Sequence, residues 1–157
     1  MFGIGIIGCG LIGNKRANSL GTKGKLLICA DINFEKAKEL ASEFGAIPTS
    51  NYEEVLSMRE IDIVIISTLH DSLSEITKAA ICAGKHVLVE KPGGRSSLEI
   101  KNLLKNTKNT NLKIRIGFNH RYHPAIIKAK GGYRPDVVMR ISAFLGRKLR
   151  MKFSNFL

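Results

Sequence analysis

The 157-residue chain predicts a doubly wound parallel sheet of the α/β class. Three observations lead there. Apolar runs with little polar alternation recur at 2–7, 26–30, 61–67 and 86–90, as strands covered on both faces require, and a further strand follows at 112–118. Helix signals fill the intervals between them. The connections are short, and repeated strand–helix–strand units of this kind build a parallel sheet with helices on both faces.

Each element has its own cause. Residues 2–7 are apolar apart from two glycines and stop at Gly8. A helix over 12–20 follows, and the apolar run 26–30 ends at Asp31. Asn33 is an N-cap for a helix over 34–44, whose stripe is Phe34, Ala37, Leu40, Ala41 and Phe44. Gly45 suits its left-handed stop. Three later helix starts show a Ser-x-x-Glu capping box: Ser50 with Glu53, Ser72 with Glu75, Ser96 with Glu99. Ala83-Gly84 closes one helix ahead of the β-branched run at 86–90, and 112–118 is a further strand. Beyond Asn119 the pattern changes: 124–130 is a short helix broken by Gly131-Gly132. Residues 137–144 then alternate as a half-buried strand.

Charge divides the chain unevenly. The net charge is +12, from 25 Lys+Arg against 13 Asp+Glu. Residues 1–107 hold 13 basic and 12 acidic side chains, a net of +1; residues 108–157 hold 12 and 1, a net of +11. A surplus of this size invites nucleic acid as a partner. Its confinement to the end of the chain, without interleaved stacking aromatics, argues against that partner. No apolar run reaches the roughly 18 residues of a membrane span. The start lacks a basic stretch ahead of an apolar one, which argues against secretion. Cys9, Cys29 and Cys82 are scattered, without metal-ligand spacing, and are expected to be reduced thiols of a cytoplasmic protein.

Gly8-Cys9-Gly10-Leu11-Ile12-Gly13 is a Gly-x-Gly-x-x-Gly sequence between a strand and a helix. The first glycine allows the tight turn, the second lets the backbone approach a pyrophosphate, and the third lets helix and strand pack closely. The helix start adds N–H groups and a positive dipole. Asp31, eighteen residues after Gly13, stands where a carboxylate accepts from both ribose hydroxyls. That placement favours NAD over NADP, whose 2′-phosphate meets a negative charge with no arginine close behind. Cys9 is read as a small side chain under a phosphate. Glu90-Lys91-Pro92 closes a strand at the sheet edge where ligands of open parallel sheets bind. On spacing alone, Lys91 is equally a surface lysine or a proton donor and acceptor for a substrate hydroxyl.

The runs 4–13, Ser67-Thr68, Ala83-Gly84-Lys85-His86-Val87-Leu88-Val89-Glu90-Lys91-Pro92 and Gly117-Phe118-Asn119-His120-Arg121-Tyr122-His123-Pro124 together resemble the Gfo/Idh/MocA oxidoreductases. This is the family of glucose–fructose oxidoreductase and inositol 2-dehydrogenase, and the resemblance covers residues 1 to about 128. It implies a Rossmann domain over 1–118, with 119–157 as the short start of a second α/β domain. It implies Lys91 as the catalytic residue at the reacting hydroxyl or carbonyl. It places Thr68 near the cofactor, Glu90 at the nicotinamide site, and Asn119 and Arg121 at the mouth of the active site. Gly8, Gly10, Leu11, Ile12, Gly13, Asp31 and Lys91 itself complete the expected cofactor contacts, with Asn119 and Arg121 among them and no metal. The reaction implied is hydride transfer between NAD(P) and a sugar- or cyclitol-like alcohol.

The chain departs from the family pattern in two ways. Leu69 stands in place of the usual proline after Thr68, and Leu73 at the position of a histidine. The substrate domain of such proteins, with its Asp-x-x-x-His pair and oligomer interface, is expected to be missing. His70, His86, His120 and His123 lack the aspartate four residues upstream that would supply it. The expectation is a truncated chain that holds NAD(H) weakly or not at all by itself and turns over little. A homo-oligomer would follow only with the missing domain. The competing reading is a non-enzymatic nucleotide-binding or partner-binding module that pairs through the strand at 137–144.

Overall fold

The computed structural model describes residues 1–107 and 110–132. The strand expected at 137–144 and most of the basic end lie outside the described residues.

Six strands form one parallel sheet: β1 (Phe2–Ile7), β2 (Gly24–Ala30), β3 (Ile47–Thr49), β4 (Ile63–Ile66), β5 (His86–Val89) and β6 (Ile114–Ile116). Their order is β3-β2-β1-β4-β5-β6. The chain winds outward from β1 in one direction, then returns and winds outward from β4 in the other. Open parallel sheets bind ligands at such a reversal, here beyond the carboxyl ends of β1 and β4. Helices α1 (Leu11–Ala17), α2 (Phe34–Phe44), α3 (Tyr52–Ser57), α4 (Leu73–Cys82) and α5 (Ser97–Thr107) cover the sheet.

Burial explains why β4 is apolar throughout. Val64 and Ile66 enter a core shared with α3, α4 and α5, while Ile65 between them enters the opposite core with α1 and α2. Neither face of β4 meets water, so period-2 polarity is absent. Within α2, Ala37, Leu40 and Ala41 are buried as the stripe predicts, though Phe34 stays 45% exposed. Gly45 ends that helix in the left-handed region at φ 65°.

Several local expectations are corrected. Helix α1 ends at Ala17 rather than at residue 20, and a 3-10 turn (Gly21–Lys23) follows. Strand β3 was absent from the sequence reading: it is three residues at the sheet edge, includes Pro48 and makes no apolar run. Edge position tolerates the missing amide of proline. Asn51, not Ser50, caps α3, accepting from Glu53 N–H at 2.9 Å. Ser72 precedes α4 without capping it; its hydroxyl donates to Thr68 Oγ1 at 3.0 Å. Only the third box has its serine at work, with Glu99 N–H donating to Ser96 Oγ at 3.2 Å. Its glutamate accepts from Arg95 N–H at 2.7 Å, and that bond holds the Glu99 carboxyl below the usual carboxylate range.

The first compact unit ends at Gly117. The described residues of the second comprise a 3-10 turn (Asn119–Tyr122) and α6 (Pro124–Gly132).

Candidate nucleotide-binding site

The turn after β1 is held from three sides. Gly8 has φ 95°, and its N–H donates to Ala30 O at 2.8 Å. A Cβ there would lie 2.6 Å from the Ser67 backbone, so any other residue meets strain and a clash together. Ser67 Oγ donates to Gly8 O at 2.7 Å from the end of β4. Asn14, one residue past the third glycine, donates its amide to Cys9 O at 2.8 Å and to Gly10 O at 3.1 Å. Asp31 accepts from Cys9 N–H at 2.7 Å through Oδ2 and from Asn33 N–H at 2.9 Å through Oδ1.

The glycines of the turn differ in what surrounds them. A Cβ at Gly13 would fall 2.0 Å from Gly8 O, so α1 packs directly on the turn. A Cβ at Gly10 would meet nothing within 4 Å. The second glycine therefore faces open space, where a pyrophosphate can approach the backbone. No acidic residue sits in the first turn of α1 to repel it. A carboxylate has about four acceptor positions; the two loop bonds leave Asp31 with capacity for ribose hydroxyls. The residues present fit a dinucleotide.

Cys9 is buried beneath the turn beside Cys29, and its thiol donates to Ala30 O at 3.4 Å. The adjoining Cys29 thiol, burial and the Asp31 charge all push the Cys9 thiol above its ordinary range.

Further along the carboxyl ends of the strands, Glu90 and Lys91 follow β5, next to β4. Glu90 N–H donates to Ile66 O at 2.8 Å and Gly93 N–H donates to Glu90 O at 2.9 Å, so the backbone is fixed on both sides. The Lys91–Pro92 peptide is cis. Lys91 is exposed, and its side chain makes no hydrogen bond or ion pair among the described residues. Glu90 is buried and pairs with Arg16 of α1, whose Nε donates to Oε1 at 2.7 Å. The Nη2 group of Arg16 contacts the same oxygen.

The structure thus gathers Gly8, Gly10, Leu11, Ile12, Gly13, Asp31 and Thr68 at the carboxyl ends of β1, β2 and β4, with Glu90 and Lys91 beyond β5. Leu11 and Ile12 are both exposed. Leu69 is exposed as well, while Leu73, the first residue of α4, is fully buried in the core. Asn119 and Arg121 lie on the 3-10 turn of the second unit. His86 is structural, its Nδ1 accepting from Lys113 N–H at 3.0 Å. Among the described residues no cluster of side chains suits a metal ion, and no helix is long and apolar enough to cross a membrane.

Sequence reasoning missed three residues. Asn14 and Arg16 are polar positions on a short helix, and nothing in their spacing points to Cys9 or to Glu90, 74 residues away. Lys85 reads as a loop lysine but is buried, its ammonium donating to Met58 O at 2.8 Å and Ile61 O at 2.9 Å.

Comparison with known proteins agrees with this geometry. The chain is 31% identical to levoglucosan dehydrogenase of Pseudarthrobacter phenanthrenivorans, over 94% of its own length and 40% of the relative's. It is 27% identical to inositol 2-dehydrogenase of Rhizobium meliloti, over 76% of its length and 37% of the relative's. Among solved structures, GenD2 from gentamicin A biosynthesis in complex with NAD superposes with a TM-score of 0.80 at 26% identity, covering 83% of this chain and 38% of that one. The chain spans about 40% of the length of the curated relatives it matches. Residues 2–118 match the model of the oxidoreductase family with an NAD-binding Rossmann fold, and the chain belongs to that family, Gfo/Idh/MocA.

Proposed function

We propose that this chain supplies the NAD(H) site and the proton-transferring lysine of an oxidoreductase acting on a sugar- or cyclitol-like alcohol. The observation that carries the reading is the open face of Gly10 beside a turn already held by Asn14, Ser67 and Asp31. Pre-organisation of this kind reduces the ordering cost of binding, so affinity is weak rather than absent. Gly10, Leu11, Ile12 and Gly13 would line the pyrophosphate, Asp31 the adenosine ribose, and Thr68 and Glu90 the nicotinamide half. Asn119 and Arg121 are assigned to the mouth of the site by family resemblance alone.

Bound NAD supplies a hydride acceptor. The chain's own part is to hold a proton: Lys91, exposed and unengaged, takes one as the neutral amine from the substrate hydroxyl during oxidation and returns it as the ammonium during reduction. The names of the relatives, dehydrogenases of levoglucosan and of inositol, support a polyhydroxylated substrate.

Fluorescence titration with NADH and NADPH tests the reading. The expected Kd for NADH is on the order of 0.1 mM, about 5.5 kcal/mol. NADPH is expected to bind about tenfold more weakly, because Asp31 meets its 2′-phosphate. Equal affinities, or no binding of NADH, contradict it. Slow oxidation of myo-inositol or levoglucosan by NAD, abolished in Lys91→Met while NADH binding persists, is the expected catalytic counterpart.

A further inference from the structure

We infer that Arg16 is a positioning residue that holds the Glu90 carboxylate at the nicotinamide end of the cofactor site and so keeps Lys91 free. The inference rests on the NAD(H) reading above.

The geometry joins three segments at one point. Arg16 stands on α1, three residues after the last glycine of the turn, and Glu90 stands directly before Lys91. Their side chains are only 18% and 11% exposed. Gly117, just beyond β6, closes the cluster: a Cβ there would lie 2.8 Å from Arg16 Nη2 and 2.9 Å from Glu90 Oε1. Its own N–H is committed to Val89 O at 2.8 Å, so this backbone cannot retreat without breaking the sheet. A larger residue at 117 would push the guanidinium and the carboxylate aside.

Stability alone is a poor reason for such a pair. Desolvating two charges costs much of what their attraction returns, and apolar replacements of similar volume often do as well. A pair that fixes where a charge goes has a different rationale. Glu90 and Lys91 are neighbours in sequence, and an unclaimed carboxylate would be free to take the Lys91 ammonium. Arg16 claims it instead, with two N–H groups on one oxygen. Lys91 is left exposed and unengaged.

The test compares two ligands on the full 157-residue chain. NADH carries the nicotinamide and ADP-ribose lacks it, so the Glu90 end touches the first alone. Wild type is expected to bind NADH more tightly than ADP-ribose. In Arg16→Gln the NADH Kd should rise about fivefold to tenfold, with ADP-ribose changed less than twofold. Arg16→Lys should recover at least half of the loss. Gly117→Ala, which displaces the pair without removing either charge, should repeat the pattern of Arg16→Gln. Thermal melts check that each variant folds. Parallel losses for both ligands, or none for either, would overturn the inference while leaving the NAD(H) reading intact. Equal wild-type affinities for the two ligands overturn it as well. Absence of NADH binding in wild type overturns the reading and the inference together.

Discussion

The Asp31 carboxylate accepts the Cys9 amide at 2.7 Å, so the residue proposed to select the ribose also fastens the glycine turn. Both tasks depend on one charge. Asp31→Asn keeps the size of the side chain and removes that charge. It should raise the NADH Kd about tenfold, or about 1.4 kcal/mol, and bring the NADPH and NADH affinities together. Titration of both cofactors checks this, and an unchanged ratio would show that Asp31 does not face the ribose.

Gly10 and Gly13 should part company on substitution. Gly13→Ala drives a methyl to 2.0 Å from Gly8 O, a backbone atom that cannot swing aside. A loss of about 2–4 kcal/mol is expected in urea unfolding, within the range of severe packing changes. Gly10→Ala meets nothing within 4 Å and should leave stability within about 0.5 kcal/mol. The same alanine should weaken NADH binding, because its methyl enters the space assigned to the pyrophosphate.

Lys85 shows how a residue inside a family motif can serve the fold. Its ammonium satisfies the carbonyls of Met58 and Ile61, which turn the chain from α3 into β4. Lys85→Met keeps the aliphatic stem but leaves both acceptors without the donor. The expected cost is about 1–3 kcal/mol, read by urea unfolding, with NADH affinity in the folded protein unchanged. A neutral result would place the ammonium in water.

Thiol chemistry should separate the three cysteines. Cys82 is exposed, whereas Cys9 and Cys29 are buried. The adjoining Cys29 thiol and burial push the Cys9 thiol above its ordinary range, which disfavours its thiolate. Alkylation of the native protein at neutral pH should therefore modify Cys82 alone, with Cys9 and Cys29 labelled only after unfolding. Peptide mass analysis distinguishes the sites; rapid labelling of Cys9 would mean that the glycine turn opens readily.

The parts legible in the sequence are those with short-range causes. The apolar runs at 2–7, 26–30, 61–67 and 86–90 each hold a strand of the sheet, because strands buried on both faces need no partner to be recognised, and the segment 112–118 holds the edge strand β6. The glycine spacing likewise gives the turn, with Gly8 at positive φ and Gly13 against the turn's carbonyl. Strand β3 was hidden because three residues containing Pro48 carry no periodicity; it exists by pairing with β2. The caps of α3 and α4 were misread because Ser-x-x-Glu marks a helix start without saying which neighbour reaches the free amides. Asn51 stands beside Ser50 and takes that role, and Ser72 turns to Thr68 instead. Arg16 and Lys85 were invisible for a deeper reason. Their partners, Glu90, Met58 and Ile61, are chosen by tertiary packing across long separations in the chain.

Amide mapping by two-dimensional NMR on titration with NAD tests the central claim most directly. The account predicts that the largest shifts fall on residues 9–14, 31–33, 68 and 90–91, at the carboxyl ends of β1, β2, β4 and β5. Shifts concentrated away from these ends, or none on saturation with NAD, would contradict it.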